Sequence, residues 1–406
     1  MLFVTFFWLV AALAPTSLAV PNSDVNLQKP LQEHLQHKSN AHGLKLTHDL
    51  IALHRNLTSI ESISGNELEI SNWLSASLKS QGYSTELQKV ATDRYNVLAW
   101  PGKTRNAKLL ITSHIDTVPP YYPYNISSNS SETTISGRGS VDAKASVATQ
   151  IIATNQLLSA SKLHPDNVTL LYVVGEEVHG DGMRAANSLS LTPHTIIFGE
   201  PTEGKLASGH KGILMFTLHA HGKAAHSGYP WLGRSANEVL VSALAALMRL
   251  ADELPKSEKY GSTTINLGRI EGGVAANVVA QTASASVAVR IAAGTPDEIK
   301  KRVLEAVGAA TKGFREQEGE EVVSVEFSSN AYAPVDIDHD VPGFETMTVN
   351  YGTDIPNLES RKGQKRYLYG PGSILVAHSD HEAVTVRELE SAVEGYQKLI
   401  LHSLKD

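Results

Sequence analysis

Three short runs constrain the fold more than anything else in this chain. Residues 108–112 (K-L-L-I-T), 168–174 (V-T-L-L-Y-V-V) and 195–198 (T-I-I-F) are apolar without alternation. A strand with no polar face is covered on both sides, as in a sheet held between helical layers. Helical periodicity fills the gaps: residues 46–57 and 67–81 precede the runs, and 141–161 and 183–189 lie among them. Strands alternating with helices predict an α/β unit with a mixed, mostly parallel sheet, and 168–174 is its expected central strand. The patterning then changes. Residues 213–220, 262–271, 282–291 and 321–327 read as strands, with 213–220 and the middle pair alternating in polarity, and 234–250 and 296–310 have helical period. Strand-helix-strand-strand-helix-strand is the order of a ferredoxin-like sandwich. With 406 residues the chain exceeds a typical single core. The expected division is a larger domain over 43–207 and 329–406, with an inserted α+β domain over 208–328.

Each strand of the larger unit is followed by residues that can carry chemistry. After the first run comes S-H-I-D-T-V-P-P, with His114 and Asp116 two apart and so on one side of an extended backbone. After the second comes G-E-E with Glu176 and Glu177, and after the third G-E-P-T with Glu200. G-R-G-S-V-D-A-K supplies Asp142, and A-H-S-D-H-E near the end supplies His378. Strand ends are where open α/β sheets hold ligands. Imidazoles and carboxylates gathered there suit zinc in a mixed nitrogen and oxygen site, and so many carboxylates repel one another unless a cation neutralises them. Taken singly, any of these is an ordinary charged strand end. The G-R-G turn lacks the ending of a phosphate loop, no G-x-S-x-G elbow is present, and the absence of cysteine excludes thiolate ligands and nucleophiles.

Together and in this order, the five motifs resemble the co-catalytic zinc metallopeptidase family, which includes carboxypeptidase G, acetylornithine deacetylase, succinyl-diaminopimelate desuccinylase and the aminoacylases. The resemblance implies a zinc-peptidase-like catalytic domain with an inserted lid, and two Zn2+ per subunit, with cobalt or manganese able to occupy the same ligands. It implies that His114 holds one ion, Asp142 bridges both, Glu177 completes the second set, and Glu200 and His378 are the remaining terminal ligands. His381, three residues beyond His378, stays open as the alternative. Asp116 becomes the carboxylate beside His114, and Glu176 the general base. In the lid, G-K-A-A-H-S-G resembles the segment whose histidine, here His226, hydrogen-bonds the substrate carbonyl. Asn277 and Arg290 match substrate-binding lid positions, although Arg290 serves equally well as a structural ion pair. Gly370 and Gly372 resemble the family's turn at the substrate carboxylate, or form an ordinary tight turn. The lid histidine often comes from a partner's lid, so a homodimer through the lid is expected.

Residues 2–14 are almost entirely apolar and lead into P-T-S-L-A, so 1–19 read as a signal peptide, too short to span a bilayer. Residues 20–42 read as a propeptide or flexible arm. Sequons at Asn56, Asn125, Asn129 and Asn167 are expected glycosylation sites. The protein is therefore expected to be secreted and extracellular, with no membrane partner after cleavage. A net charge of -7 argues against nucleic acid. The expected activity is hydrolysis of amide bonds in small substrates with a free carboxylate, as a metallocarboxypeptidase on short peptides. An N-acyl-amino-acid deacylase, acetylornithine deacetylase-like and favoured by G-E-P-T, is the alternative. A non-catalytic peptide-binding relative would lack the base or a ligand, and every such position is filled.

Overall fold

The computed structural model describes residues 41–129, 132–315 and 321–405. The expected signal peptide, and the arm as far as residue 40, lie outside the described residues. In chain order the first half contains α1 (Ala41–Ser59), α2 (Leu68–Ser80), β1 (Ser84–Ala91), β2 (Arg94–Trp100), β3 (Leu109–His114), β4 (Asn125–Ser128), β5 (Thr133–Ser136), α3 (Lys144–Ser159), β6 (Val168–Val173), α4 (Asp181–Ala186) and β7 (Thr195–Gly199). After β8 (Leu206–His210) come the elements of the insert. These are β9 (Gly212–His221), α5 (Ala236–Glu253), the small hairpin β10 (Lys256–Ser257) and β11 (Gly261–Ser262), β12 (Thr264–Gly272), β13 (Thr282–Ile291), α6 (Pro296–Thr311) and β14 (Val323–Phe327). The chain returns through β15 (Val335–Asp336), β16 (Thr346–Val349), β17 (Lys365–Tyr369), β18 (Ala383–Thr385) and α7 (Val386–His402).

The main sheet has the order β1-β2-β6-β3-β7-β17. Its β6, β3, β7 and β17 run parallel, and the β1–β2 hairpin joins antiparallel. Every residue of β3, β6 and β7 is buried, which is why these strands lack alternation. One face carries α1, α2, α3 and α7 over the largest core. A second core, with Phe198 and Leu368 among its members, covers the other face. Helix α3 is buried nearly all round, so its apolar residues, Val147, Ile151, Ile152 and Leu157 among them, are mixed with small Ala, Ser and Thr and form no single stripe.

The insert has its own core and a four-stranded antiparallel sheet, β12-β13-β9-β14. Leu214, Phe216, Leu218 and Ala220 of β9 face inward against α5 and α6, and the residues between them face out. Pro296 at the first turn, with Thr295 and Glu298 closing a capping box, starts α6. The same box, Thr385 with Glu388, starts α7. Strand β8 straddles the expected boundary at 207/208, because it pairs with β15 and β16 of the returning chain. Among the described strands, β8, β10 and β15 to β18 were not anticipated. They are short, and β17 (K-R-Y-L-Y) lies at the sheet edge, where a continuous apolar run is not required. Among the sequons, Asn56, Asn125 and Asn129 are exposed and Asn167 is half-buried. No described helix is long and apolar enough to cross a membrane.

Two buried histidines make stability pH-dependent. His54 bonds the Ser140 carbonyl, and His210 the Lys211 carbonyl and Thr353 hydroxyl. Burial lowers both from 6.5 to about 4, so they stay neutral in the fold while the unfolded chain takes up protons near 6.5. Their full contribution is present above pH 6.5 and is lost as pH falls toward 4, at about 1.4 kcal/mol per pH unit for each histidine. Urea unfolding at stepped pH should show this slope, and His54→Leu should remove its share. An unchanged slope in that variant would mean His54 is already charged in the folded protein.

Candidate active site

Strand register explains how distant motifs meet. His114 of β3 pairs with Val173 of β6, and Ser113 with Gly199 of β7, so these strands end level with one another. His114, the Glu176–Glu177 turn and Glu200 are thereby brought to one edge. Asp142 arrives from the turn into α3, and His378 from the loop before β18. The Nε2 of His114 lies 3.0 Å from Asp142 Oδ1 and 3.7 Å from Glu200 Oε1. The Nε2 of His378 lies 3.3 Å from Asp142 Oδ2 and 3.0 Å from Glu177 Oε2. Asp142 thus presents one oxygen to each histidine. His381 instead pairs with Asp380 at 3.0 Å, and both are exposed. His114, Asp116, Asp142 and Glu200 are buried, Glu176 and Glu177 half-buried and His378 exposed, so the cluster runs from the protein interior to solvent at His378.

Asp116 does more than was expected. His114 Nδ1 is 3.0 Å from its backbone carbonyl and 3.5 Å from its carboxylate. The carboxylate accepts the backbone N–H of Glu176 at 3.1 Å, that of Glu177 at 3.2 Å and the Ser64 hydroxyl at 2.7 Å. One side chain therefore orients the histidine and pins the turn bearing both glutamates. Gly175 makes that turn possible, since its φ is +75° and a Cβ there would strike the Arg94 guanidinium. Arg94 is itself gripped by buried Glu67 at 2.7 Å.

The electrostatics show a site short of positive charge. Burial, then Glu200, Asp354 and Glu177 nearby, push the Glu176 carboxyl well above the usual range. Burial and Asp142 push Glu177 up to about 7, and burial with Asp142 and Glu177 pushes Glu200 up to about 8. Asp142 goes the other way, held down against burial by the two histidines. His378, between Asp142 and Glu177, rises to about 10. Carboxylates that resist ionisation beside histidines that cling to protons are what a cation would relieve. The donors fit one. Ligand atoms of His114, Glu176 and Glu200 lie within 4.8 Å of one another, as do those of His114, Asp142 and Glu177.

The lid residues are placed differently. His226 is exposed, and its recorded contacts are within the insert: Gly228 N–H donates to its Nδ1 at 3.0 Å, and its ring lies 6.0 Å from that of Tyr229. Asn277 is exposed, and its carbonyl accepts Ser227 N–H. Arg290 is half-buried, and its guanidinium lies close to Gly352 of the larger unit. Gly370 and Gly372 are buried. A Cβ on Gly370 would meet Ser146 and the Glu200 carbonyl, and Gly370 N–H donates to Thr202 Oγ1 at 2.9 Å. Both glycines have a packing role in shaping the turn after Glu200. Tyr332 and Asp354 escaped the sequence reading. The Tyr332 phenol is pushed up to beyond its usual range by burial, then by Glu176, with Arg290 and Asp354 also felt. Neither belongs to a motif, so no sequence signal marks them.

A family model described as a peptidase dimerisation domain matches residues 208–314. A probable carboxypeptidase of Aspergillus niger is 49% identical over 376 residues, covering 86% of this chain and 88% of the relative. The chain belongs to the co-catalytic zinc metallopeptidase family. Another family member, a probable carboxypeptidase of Emericella nidulans, is 46% identical and covers 98% of both chains. Among solved structures of these peptidases, a Staphylococcus aureus tripeptidase superposes with a TM-score of 0.72 at 20% identity, over 89% of this chain and 99% of that one. An M20 family metallo-carboxypeptidase of Sulfolobus solfataricus gives 0.64 at 17% identity, over 90% and 99%. The fold expectation of a mixed α/β catalytic unit with an inserted α+β lid holds, and the chain is a peptidase of this family.

Proposed function

We propose that this peptidase is a secreted, glycosylated metallocarboxypeptidase that releases C-terminal residues from short peptides at a site for two zinc ions. The observation that carries the reading is Asp142, whose two oxygens face His114 at 3.0 Å and His378 at 3.3 Å. His114 and Glu200 complete one set around it, and His378 and Glu177 the other. Two bound divalent cations would supply Lewis-acid activation of a water and of the scissile carbonyl.

The protein's own groups do the rest. Glu176 takes the proton of the attacking water on a carboxylate oxygen and delivers it to the leaving amine nitrogen. Asp116, through the backbone of Glu176, keeps that carboxylate over the cleft. His226 donates a hydrogen bond to the carbonyl oxygen as charge builds there. Being exposed on the lid, it reaches the site by lid closure or from the lid of a second copy, which fits a homodimer. Arg290 and Asn277 bind the free carboxylate of the substrate, with the turn at Gly370 and Gly372 behind them. Secretion rests on the apolar segment at residues 2–14 and the small residues after it, and glycosylation on exposed Asn56, Asn125 and Asn129.

Amino-acid release from dipeptides and from matching N-acetyl amino acids, with and without a chelator, tests the reading. Chelator-sensitive cleavage of the peptides, with the acetyl compounds spared, is expected. The opposite preference would make the protein an N-acyl-amino-acid deacylase.

A further inference from the structure

The strongest unexplained feature lies beneath the metal cluster. Arg138 and Glu382 are 1% and 2% exposed and form an ion pair across 244 residues of sequence. A buried pair of this kind is weak evidence for stability, since apolar residues of equal volume often serve as well. Here the carboxylate has further partners. Its Oε1 accepts the backbone N–H of Val141 at 3.1 Å and of Asp142 at 3.3 Å. The Glu382 carbonyl accepts Gly137 N–H at 3.2 Å and the Ser140 hydroxyl at 3.3 Å. One residue thus grips the turn 137–142 from end to end. Glu382 is itself fixed, because the next residue opens β18 and Ala383 pairs with Ser136 of β5.

Arg138 extends the link. Its Nε donates to the Pro120 carbonyl at 3.2 Å, its backbone N–H to the Tyr122 carbonyl at 3.0 Å, and its guanidinium lies 5.2 Å from the Tyr122 ring centre. Three segments therefore meet at this pair: the chain leaving His114, the turn presenting Asp142, and the loop from His378 to Glu382.

We infer that Glu382 is a positioning residue that aims Asp142 at both metal positions, through the two backbone N–H groups it holds and the Arg138 pair that anchors it. The inference rests on the two-metal reading above. Asp142 needs a fixed orientation, because each of its oxygens serves a different histidine, and a rotation that favours one withdraws the other. Groups that orient metal ligands typically set affinity by roughly 10–100-fold.

The test is zinc binding by the full-length, metal-free protein, measured by competition with a chromophoric chelator. Two variants are used: Glu382→Gln, and the double variant Arg138→Met with Glu382→Leu, which removes both buried charges at similar volume. Thermal unfolding without metal establishes that each is folded. Val303→Ala in the insert core serves as a control that lowers Tm without touching the cluster. Wild type should bind two zinc ions. Both Glu382 variants should bind them roughly 10–100-fold more weakly, while the control binds as wild type does. If the double variant does not fold, Glu382→Gln alone decides. A folded Glu382 variant with wild-type zinc affinity would overturn the inference and leave the pair as a structural bolt. Wild-type protein that binds no zinc would instead overturn the two-metal reading on which the inference stands.

Discussion

Glu176→Gln should leave the protein folded and loaded with metal yet lower kcat by roughly 10²–10⁴, the usual contribution of a general base. The amide matches the carboxylate in size and keeps the backbone N–H that donates to Asp116, so the turn stays in place. It cannot accept a proton. KM should change little, because the substrate carboxylate is assigned to the lid. Metal content should hold, since the ligand sets built around Asp142 do not require Glu176, although its oxygens come within 4.8 Å of donors on His114 and Glu200. Removing one carboxyl from a cluster in which burial, Glu200, Asp354 and Glu177 all oppose its ionisation should also not destabilise the metal-free fold. Near-normal kcat would remove Glu176 from the role of base. Loss of metal would make it a ligand.

Asp142→Asn should abolish turnover and metal binding together. Asp142 is 5% exposed and sits between His114 and His378, so in the proposed two-metal site both positions would share its charge. An amide offers one oxygen and one N–H2, and a donor cannot face a metal held by the opposite histidine. Replacement of a terminal ligand, as in His378→Ala, should by contrast weaken one ion more than the other. Metal analysis and kcat on the same preparations distinguish the cases. Retention of one tightly held ion and partial activity in Asp142→Asn would show that Asp142 belongs to a single metal.

Much of this was legible in the sequence because it is encoded locally. Continuous apolar runs mark strands buried on both faces, and the residues directly after them are at the sheet edge by construction. That placed His114, Glu176, Glu177 and Glu200 without any knowledge of pairing. The alternation in β9 and β13 marked the second sheet in the same way. What was not legible depends on partners far apart in the chain. Glu382 holds the N–H of a residue 240 positions away, and Asp116 holds a turn 60 positions away. No spacing rule carries such information. Strand β17 was missed because an edge strand needs no apolar run, and Tyr332 and Asp354 because they reach the cleft from irregular chain. The lid residues show the other limit: G-K-A-A-H-S-G marks His226, but the role proposed for that imidazole requires lid closure or a second copy.

The most direct measurement is to strip the protein of metal and return zinc in sub-stoichiometric steps, following amino-acid release from a dipeptide and zinc bound per chain together. The account predicts negligible release without metal, and full activity only as the second equivalent binds. Full activity in the metal-free protein, or at a single equivalent with no further binding, would contradict the two-metal site built around Asp142.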